Sequence, residues 1–180
     1  MAVTGRSTAD LQNAAMYVGF EWTSLAEMSA ELAKITGART IPAEHALLEA
    51  CFLHLRCLID FCCGTLEGRR HRNDIQPMNF LGVDWWPRDP LDRQLRGRLP
   101  VINKHLAHLS WERVTDTTPI MWPMASLANE VTSAMKLFVR ELRTKQGVCL
   151  GQFEAAERQA LASLPSLHEP ETLGPLGPVR

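Results

Sequence analysis

The stretch "ALLEACFLHLRCLIDFCC", residues 46–63, decides the fold class. It is the most apolar segment of the chain, yet Glu49, His54, Arg56 and Asp60 interrupt it. Charged groups are costly in a bilayer core, so it reads as a buried helix of a soluble protein and not as a membrane span. On a wheel of about 100° per residue, His45, Glu49, Arg56 and Asp60 fall on one narrow face, with Arg56 and Asp60 at pairing distance. That row reads first as a salt-bridge stripe. Its functional reading is that Glu49, Arg56 or Asp60 orients a histidine of a neighbouring helix. His54 falls on the opposite face with Leu47, Ala50, Leu58 and Phe61, where a hydrogen-bonded core histidine is expected.

Outward from this helix, the pattern stays helical. Residues 8–35 are rich in Ala, Leu, Met and Glu, broken only by Gly19, where a kink is expected, and they end before Gly37. Pro42 suits the first turn of the helix that runs to Cys63. From Thr65 to Pro90 no helical period holds; Phe80, Leu81, Trp85 and Trp86 are the side chains expected to pin this long connection to the core. Leu91, Leu95, Leu99, Ile102, Leu106 and Leu109 make a third stripe, with Pro100 expected to kink it or to start it afresh. Leu127, Val131, Ala134, Met135, Phe138 and Leu142 make a fourth, and residues 153–163 a short fifth helix.

No strand competes with these elements, so the expected fold is all-α: a four-helix bundle with a long ordered loop between helices two and three. One domain over residues 1–162 suits a chain of 180 residues. Residues 163–180, with four prolines and two glycines in "PSLHEPETLGPLGPVR", are expected to form a disordered tail. A formal net charge of −1 excludes a generally polyanion-binding surface. The N-terminus lacks the apolar core of a secretory signal, and five cysteines, four of them within residues 46–63, fit a reducing setting, so a cytoplasmic location is expected. Those cysteines read as core filling. Cys51 and His54 sit one turn apart, but no second ligand pair follows, so no metal and no cofactor are expected.

The stretch with the most chemistry is "INKHLAHLSWER", residues 102–113. Arg98, Val101, His105, His108 and Glu112 form a strip beside the leucine stripe, and residues 88–113 hold six Lys or Arg against three Asp or Glu. Histidines that titrate near neutral pH, beside an arginine whose planar fork suits a phosphate, could cleave a phosphodiester in RNA without a metal. The bland reading is that His105 and His108 cap the C-terminus of their helix. The loop "GRRHRND", residues 68–74, and the Trp85–Trp86 pair could add RNA contacts, although loop anchoring is the favoured role of the tryptophans. A pocket beneath those tryptophans would instead suit a small-molecule enzyme, if it proved deep and apolar.

"INKHLAHLSWER" resembles the signature of the HEPN family, in its abortive-infection branch: Asn103, Lys104, Ala107 and His108 match, and Ile102 stands where that signature has arginine. A second frame pairs Arg98 with His105 across Pro100 and loses the Asn-Lys match. The resemblance covers about a dozen residues closely and the helix order loosely, a weak pattern on its own. It implies a helical, usually homodimeric domain acting as a metal-independent endoribonuclease, in a family that also holds inactive binding and assembly modules. On that basis His108 and His105 are the candidate acid and base, Arg98 and Asn103 act with them, and Lys104 and Arg113 hold substrate. Glu49, Arg56 and Asp60 are the supporting residues. The expectation is an RNA-cleaving or RNA-binding component of a bacterial defence or toxin system, with RNA, a second copy and a cognate antitoxin or other protein as partners and no membrane. The alternative is a catalytically inactive helical interaction or dimerisation module.

Overall fold

A computed structural model describes residues 6–35, 42–64, 74–87, 89–106 and 123–164; for 42–45, 101 and 104–106 it describes the backbone alone. Among the described residues every regular element is a helix: α1 (Thr8–Ala33), α2 (Pro42–Cys63), α3 (Met78–Leu81), α4 (Leu91–Leu106), α5 (Met124–Lys145) and α6 (Leu150–Ser163). No helix among them is long and apolar enough to cross a membrane.

α1 starts at a capping box. The Ser7 hydroxyl accepts from the Asp10 amide at 3.1 Å, and the Asp10 carboxylate accepts from the Ser7 amide at 3.1 Å, which satisfies two amides that a helix start leaves open. The helix runs through Gly19 as the single element expected. The glycine serves packing: a Cβ built there would lie 3.2 Å from the Cβ of Ala156, so its absence lets α6 approach closely. α1 packs most extensively against α6 and α2, and it also touches α5. Trp22 is fully buried, and its indole N–H donates to the Thr132 hydroxyl of α5 at 3.0 Å, so the largest apolar side chain of α1 brings its one donor to a partner.

The stripe expected of α5 is buried, as is that of α4 from Leu95 to Ile102, whereas on α2 Leu58 and Phe61 of the expected apolar face are buried and Leu47 and Ala50 only partly so. Leu55, Leu58, Ile59 and Cys62 of α2, Leu95, Leu99 and Ile102 of α4, and Val131, Ala134, Met135, Phe138 and Leu142 of α5 all lie in the core. Pro100 sits inside α4, exposed, and divides nothing. α6 is a full member of the core, with Phe153 and Ala160 fully buried, and Leu164 just beyond it packs there too, so the ordered unit continues past residue 162. The tail 165–180 lies outside the described residues.

The second half of the long connection is ordered for the expected reason. Phe80 and Leu81 on α3 are buried, and Trp85 meets Phe138 edge-on at 5.5 Å. Around Phe138 also stand Phe61 at 5.2 Å and Phe153 at 5.0 Å, which join α2, α5 and α6. The α5–α6 turn is drawn onto the same cluster. Gln146 and Cys149 take left-handed backbone, and the Val148 amide donates to the Phe80 carbonyl at 3.0 Å. A Cβ on Gly147 would lie 2.8 Å from that carbonyl oxygen, so only glycine fits the approach.

Candidate functional site

Ile102, at the position where the signature has arginine, is fully buried among the core residues. No polar ligand reaches it. Arg98, the alternative arginine, lies on the flank of α4 that faces α5, where its Nη2 donates to Glu130 Oε1 at 3.2 Å; their side chains are 42% and 14% exposed. Among the described residues the pair is incompletely satisfied, because Arg98 Nε and Glu130 Oε2 are both buried without a hydrogen-bond partner there. The guanidinium expected to hold a phosphate is thus engaged by a carboxylate within the chain.

Asn103 comes five residues after Arg98, about 140° around the helix. It lies on the other flank, in register with Arg96 and Asp92, and its side-chain oxygen is buried without a partner among the described residues. That flank is structural. Arg96 Nε donates to both carboxylate oxygens of Asp92 at 3.0 Å and its guanidinium lies 4.9 Å from the Trp86 ring centroid. The Asp92 carboxylate also adds to the burial that holds the Cys63 thiol of α2 above its ordinary value. Arg98 and Asn103 therefore face different neighbours and form no common site. His105 and Lys104 lie on α4 with their side chains outside the described set, and His108 and Arg113 lie outside the described residues.

The supporting residues of α2 separate as well. Glu49 is exposed, and Arg56 meets Asp60 at 3.7 Å as expected. Asp60 lines a groove between α1 and α2 with Tyr17 and Glu21, and Arg98 is no part of its lining. The Asp60 carboxyl is raised above its ordinary range, first by burial and then by Asp74, with Arg56 pulling the other way. His54 is hydrogen-bonded as expected, but half-buried and not in the core: its Nδ1 lies 2.6 Å from the Glu21 carboxylate of α1, and Phe20 packs edge-on to its ring at 5.8 Å.

Cys51, Cys62 and Cys63 fill core as expected, but Cys57 is exposed and Cys149 half-buried. Burial and the Glu21 and Asp60 carboxylates hold the Cys57 thiol above its ordinary value, and burial foremost does the same at Cys63 and Cys149, so none of these three is an activated nucleophile. Among the described residues no group of three or more His, Cys, Asp or Glu is placed to hold a metal ion. The cavity beneath Trp85 and Trp86 measures about 170 Å³ and is partly walled by Arg140 and Glu141. It is smaller than a ligand pocket of about 300 Å³, and with Arg140 and Glu141 in its wall it lacks the apolar lining that a small-molecule enzyme would need.

One surface was missed at the level of sequence. Met16, Tyr17 and Phe20 of α1 are 65%, 67% and 58% exposed, and Leu53 of α2 is 57% exposed. At 100° per residue, Met16 and Phe20 point almost directly away from the stripe of Val18, Trp22, Leu25 and Ser29 that α1 buries. The signal was available: an apolar pair on the wheel opposite the apolar stripe, in a segment whose composition alone reads as an ordinary helix. The chain matches no family model, no curated protein and no solved structure with which it was compared.

Proposed function

We propose that this chain is a HEPN-like helical protein, a four-helix bundle extended by α6, that serves as a catalytically inactive interaction or dimerisation module of a cytoplasmic bacterial defence or toxin system. The observation that carries the choice is the complete burial of Ile102 at the arginine position. Engagement of Arg98 by Glu130 adds to it, since a cation already paired and partly desolvated makes a poor clamp for a phosphate whose charge grows in the transition state. A cleaving enzyme is the second reading. In its favour, Arg98 and His105 share one edge of α4 by helical register, and RNA would then be the substrate.

An RNA-cleavage assay in EDTA, comparing the parent with His108→Ala and His105→Ala, separates the two. The module predicts no cleavage by any of the three proteins. EDTA-resistant cleavage by the parent that disappears in His108→Ala establishes the nuclease instead.

A further inference from the structure

On α4 and α5 most of the described cations are answered within the chain. Arg93 meets Asp89, Arg96 meets Asp92, Arg98 meets Glu130, Arg143 meets Glu154 and Lys145 meets Glu141. Lys136 and Arg140 are the exceptions: both are exposed, and neither has a carboxylate partner among the described residues. They stand one turn apart on α5, a spacing at which like charges repel and destabilise a helix. Two cations kept there without an internal answer point to an anion from outside the chain.

Both line a groove of about 420 Å³ at the seam of α5 and α6, with Ser133, Leu137 and Arg143 from α5 and Glu157 from α6. Two of these side chains are already engaged. Arg143 donates to Glu154 Oε1 from Nη2 at 2.7 Å and from Nε at 3.1 Å, and the Ser133 hydroxyl donates its proton to the Asn129 carbonyl at 2.9 Å. The charges left in the groove are Lys136 and Arg140 from α5 and, from α6, Glu157, which has no cation partner among the described residues. Leu137 is half-buried, and with Arg140 it also borders the hollow beneath Trp85 and Trp86. From Ser133 to Arg143 the groove follows α5 for about 15 Å, nearly three helical turns.

We infer that the α5–α6 seam docks an acidic amphipathic helix of a partner protein, two of its carboxylates one turn apart against Lys136 and Arg140, an apolar side chain on Leu137, and a lysine or arginine toward Glu157. Charge complementarity selects this occupant. Cations one turn apart on α5 are matched in spacing by carboxylates one turn apart on a helix laid along it, and a groove that runs with two helices suits a helix as its filling. A single-stranded nucleic acid fits less well, because it carries a phosphate at every nucleotide and Glu157 stands in the wall to repel one. A second copy related by a two-fold axis would offer Glu157 alone to the two cations of the facing seam, so one cation of each copy would stay unanswered.

This inference rests on the module reading and deepens it by giving the chemistry of the partner; its assay reads binding where the cleavage assay reads catalysis, so either can fail alone. The probe is a fluorescein-labelled amphipathic peptide of leucine and glutamate, titrated with the full chain and followed by anisotropy. Beside it stand a peptide in which lysine replaces every glutamate and a labelled single-stranded oligouridylate. The glutamate peptide is expected to saturate below about 100 μM, the weak end for a contact resting on a few charge pairs, and the lysine peptide not to bind. The double change Lys136→Glu, Arg140→Glu is expected to weaken the glutamate peptide about tenfold or more, and Lys136→Gln, Arg140→Gln to weaken it in the same direction if the reversed protein does not fold by circular dichroism. Arg6→Glu, Lys34→Glu makes the same change in net charge at the two ends of α1, outside the groove, and should leave binding within about twofold. Failure of the glutamate peptide to saturate overturns the inference, as does equal binding of the two peptides or equal weakening by the α1 and α5 charge reversals. Tighter binding of the oligouridylate that is lost in Lys136→Glu, Arg140→Glu assigns the seam to nucleic acid and overturns it too.

Discussion

The edge of α4 and the outer face of α1 differ in what the fold does with unlike side chains. On α4 the charges are answered within the chain, Arg98 by Glu130 and Arg96 by Asp92. On α1 the side chains of Met16, Tyr17 and Phe20 are exposed, Met16 and Phe20 opposite the stripe that the helix buries. The described part of a cationic edge that resembles a catalytic strip is paired within the chain, whereas a helix of ordinary composition carries exposed apolar side chains. Charges on a helix edge readily find partners on the next helix, so their presence says little about ligands. Clustered large apolar groups held in water have no such internal explanation.

The contrast breaks most visibly between two phenylalanines. Phe138→Ala empties the centre of the aromatic cluster and is expected to cost about 3–5 kcal/mol in chemical denaturation. Phe20→Ser should leave stability within about 0.5 kcal/mol of the parent, and a loss comparable to that of Phe138→Ala would mean that the outer face is core after all. Between them stands Glu130→Ala, which strands the Arg98 guanidinium at the α4–α5 seam and is expected to cost about 1–3 kcal/mol. An unchanged denaturation midpoint in that variant would show the Arg98 charge to be free for a ligand.

The smallest expected effect is on pH dependence. The Asp60 pKa is raised in the folded chain, so the folded state holds that proton more tightly than the unfolded one. Its favourable contribution is complete below the unfolded value of about 3.8 and is lost as pH rises through the folded value. Asp60→Asn removes that loss, and its melting temperature should exceed that of the parent at neutral pH, with the difference shrinking in acid. A variant less stable than the parent at neutral pH would mean that the Arg56 pair dominates.

Much of the helical core was legible because it rests on periodicity. The stripes through Leu95, Leu99 and Ile102, and through Val131 to Leu142, are buried as their spacing requires, and Trp85 anchors its loop on Phe138 as an aromatic in such a connection should. Legibility failed where an outcome depends on a neighbouring helix. The wheel placed Arg98 on an edge but could not show that Glu130, 32 residues away, would meet it. It grouped Glu49, Arg56 and Asp60, but not the α1 residues that share a groove with Asp60. Gly19 read only as a point of weakness in helix one, because glycine weakens helices, whereas the close approach of Ala156 gives it a packing role that no wheel shows. The same limit hid the outer face of α1, since an apolar residue on a wheel reads as core until the opposite side is seen to be the buried one.

The α5–α6 turn carries a further consequence. Val148 is 46% exposed, yet its amide is bonded to the carbonyl of Phe80, in an element that Phe138 and Phe153 hold from either side. In hydrogen-exchange terms this surface turn belongs with the interior: its amide is released only when α3, α5 and α6 separate, so an outward-facing residue shares the opening of the aromatic cluster beneath it.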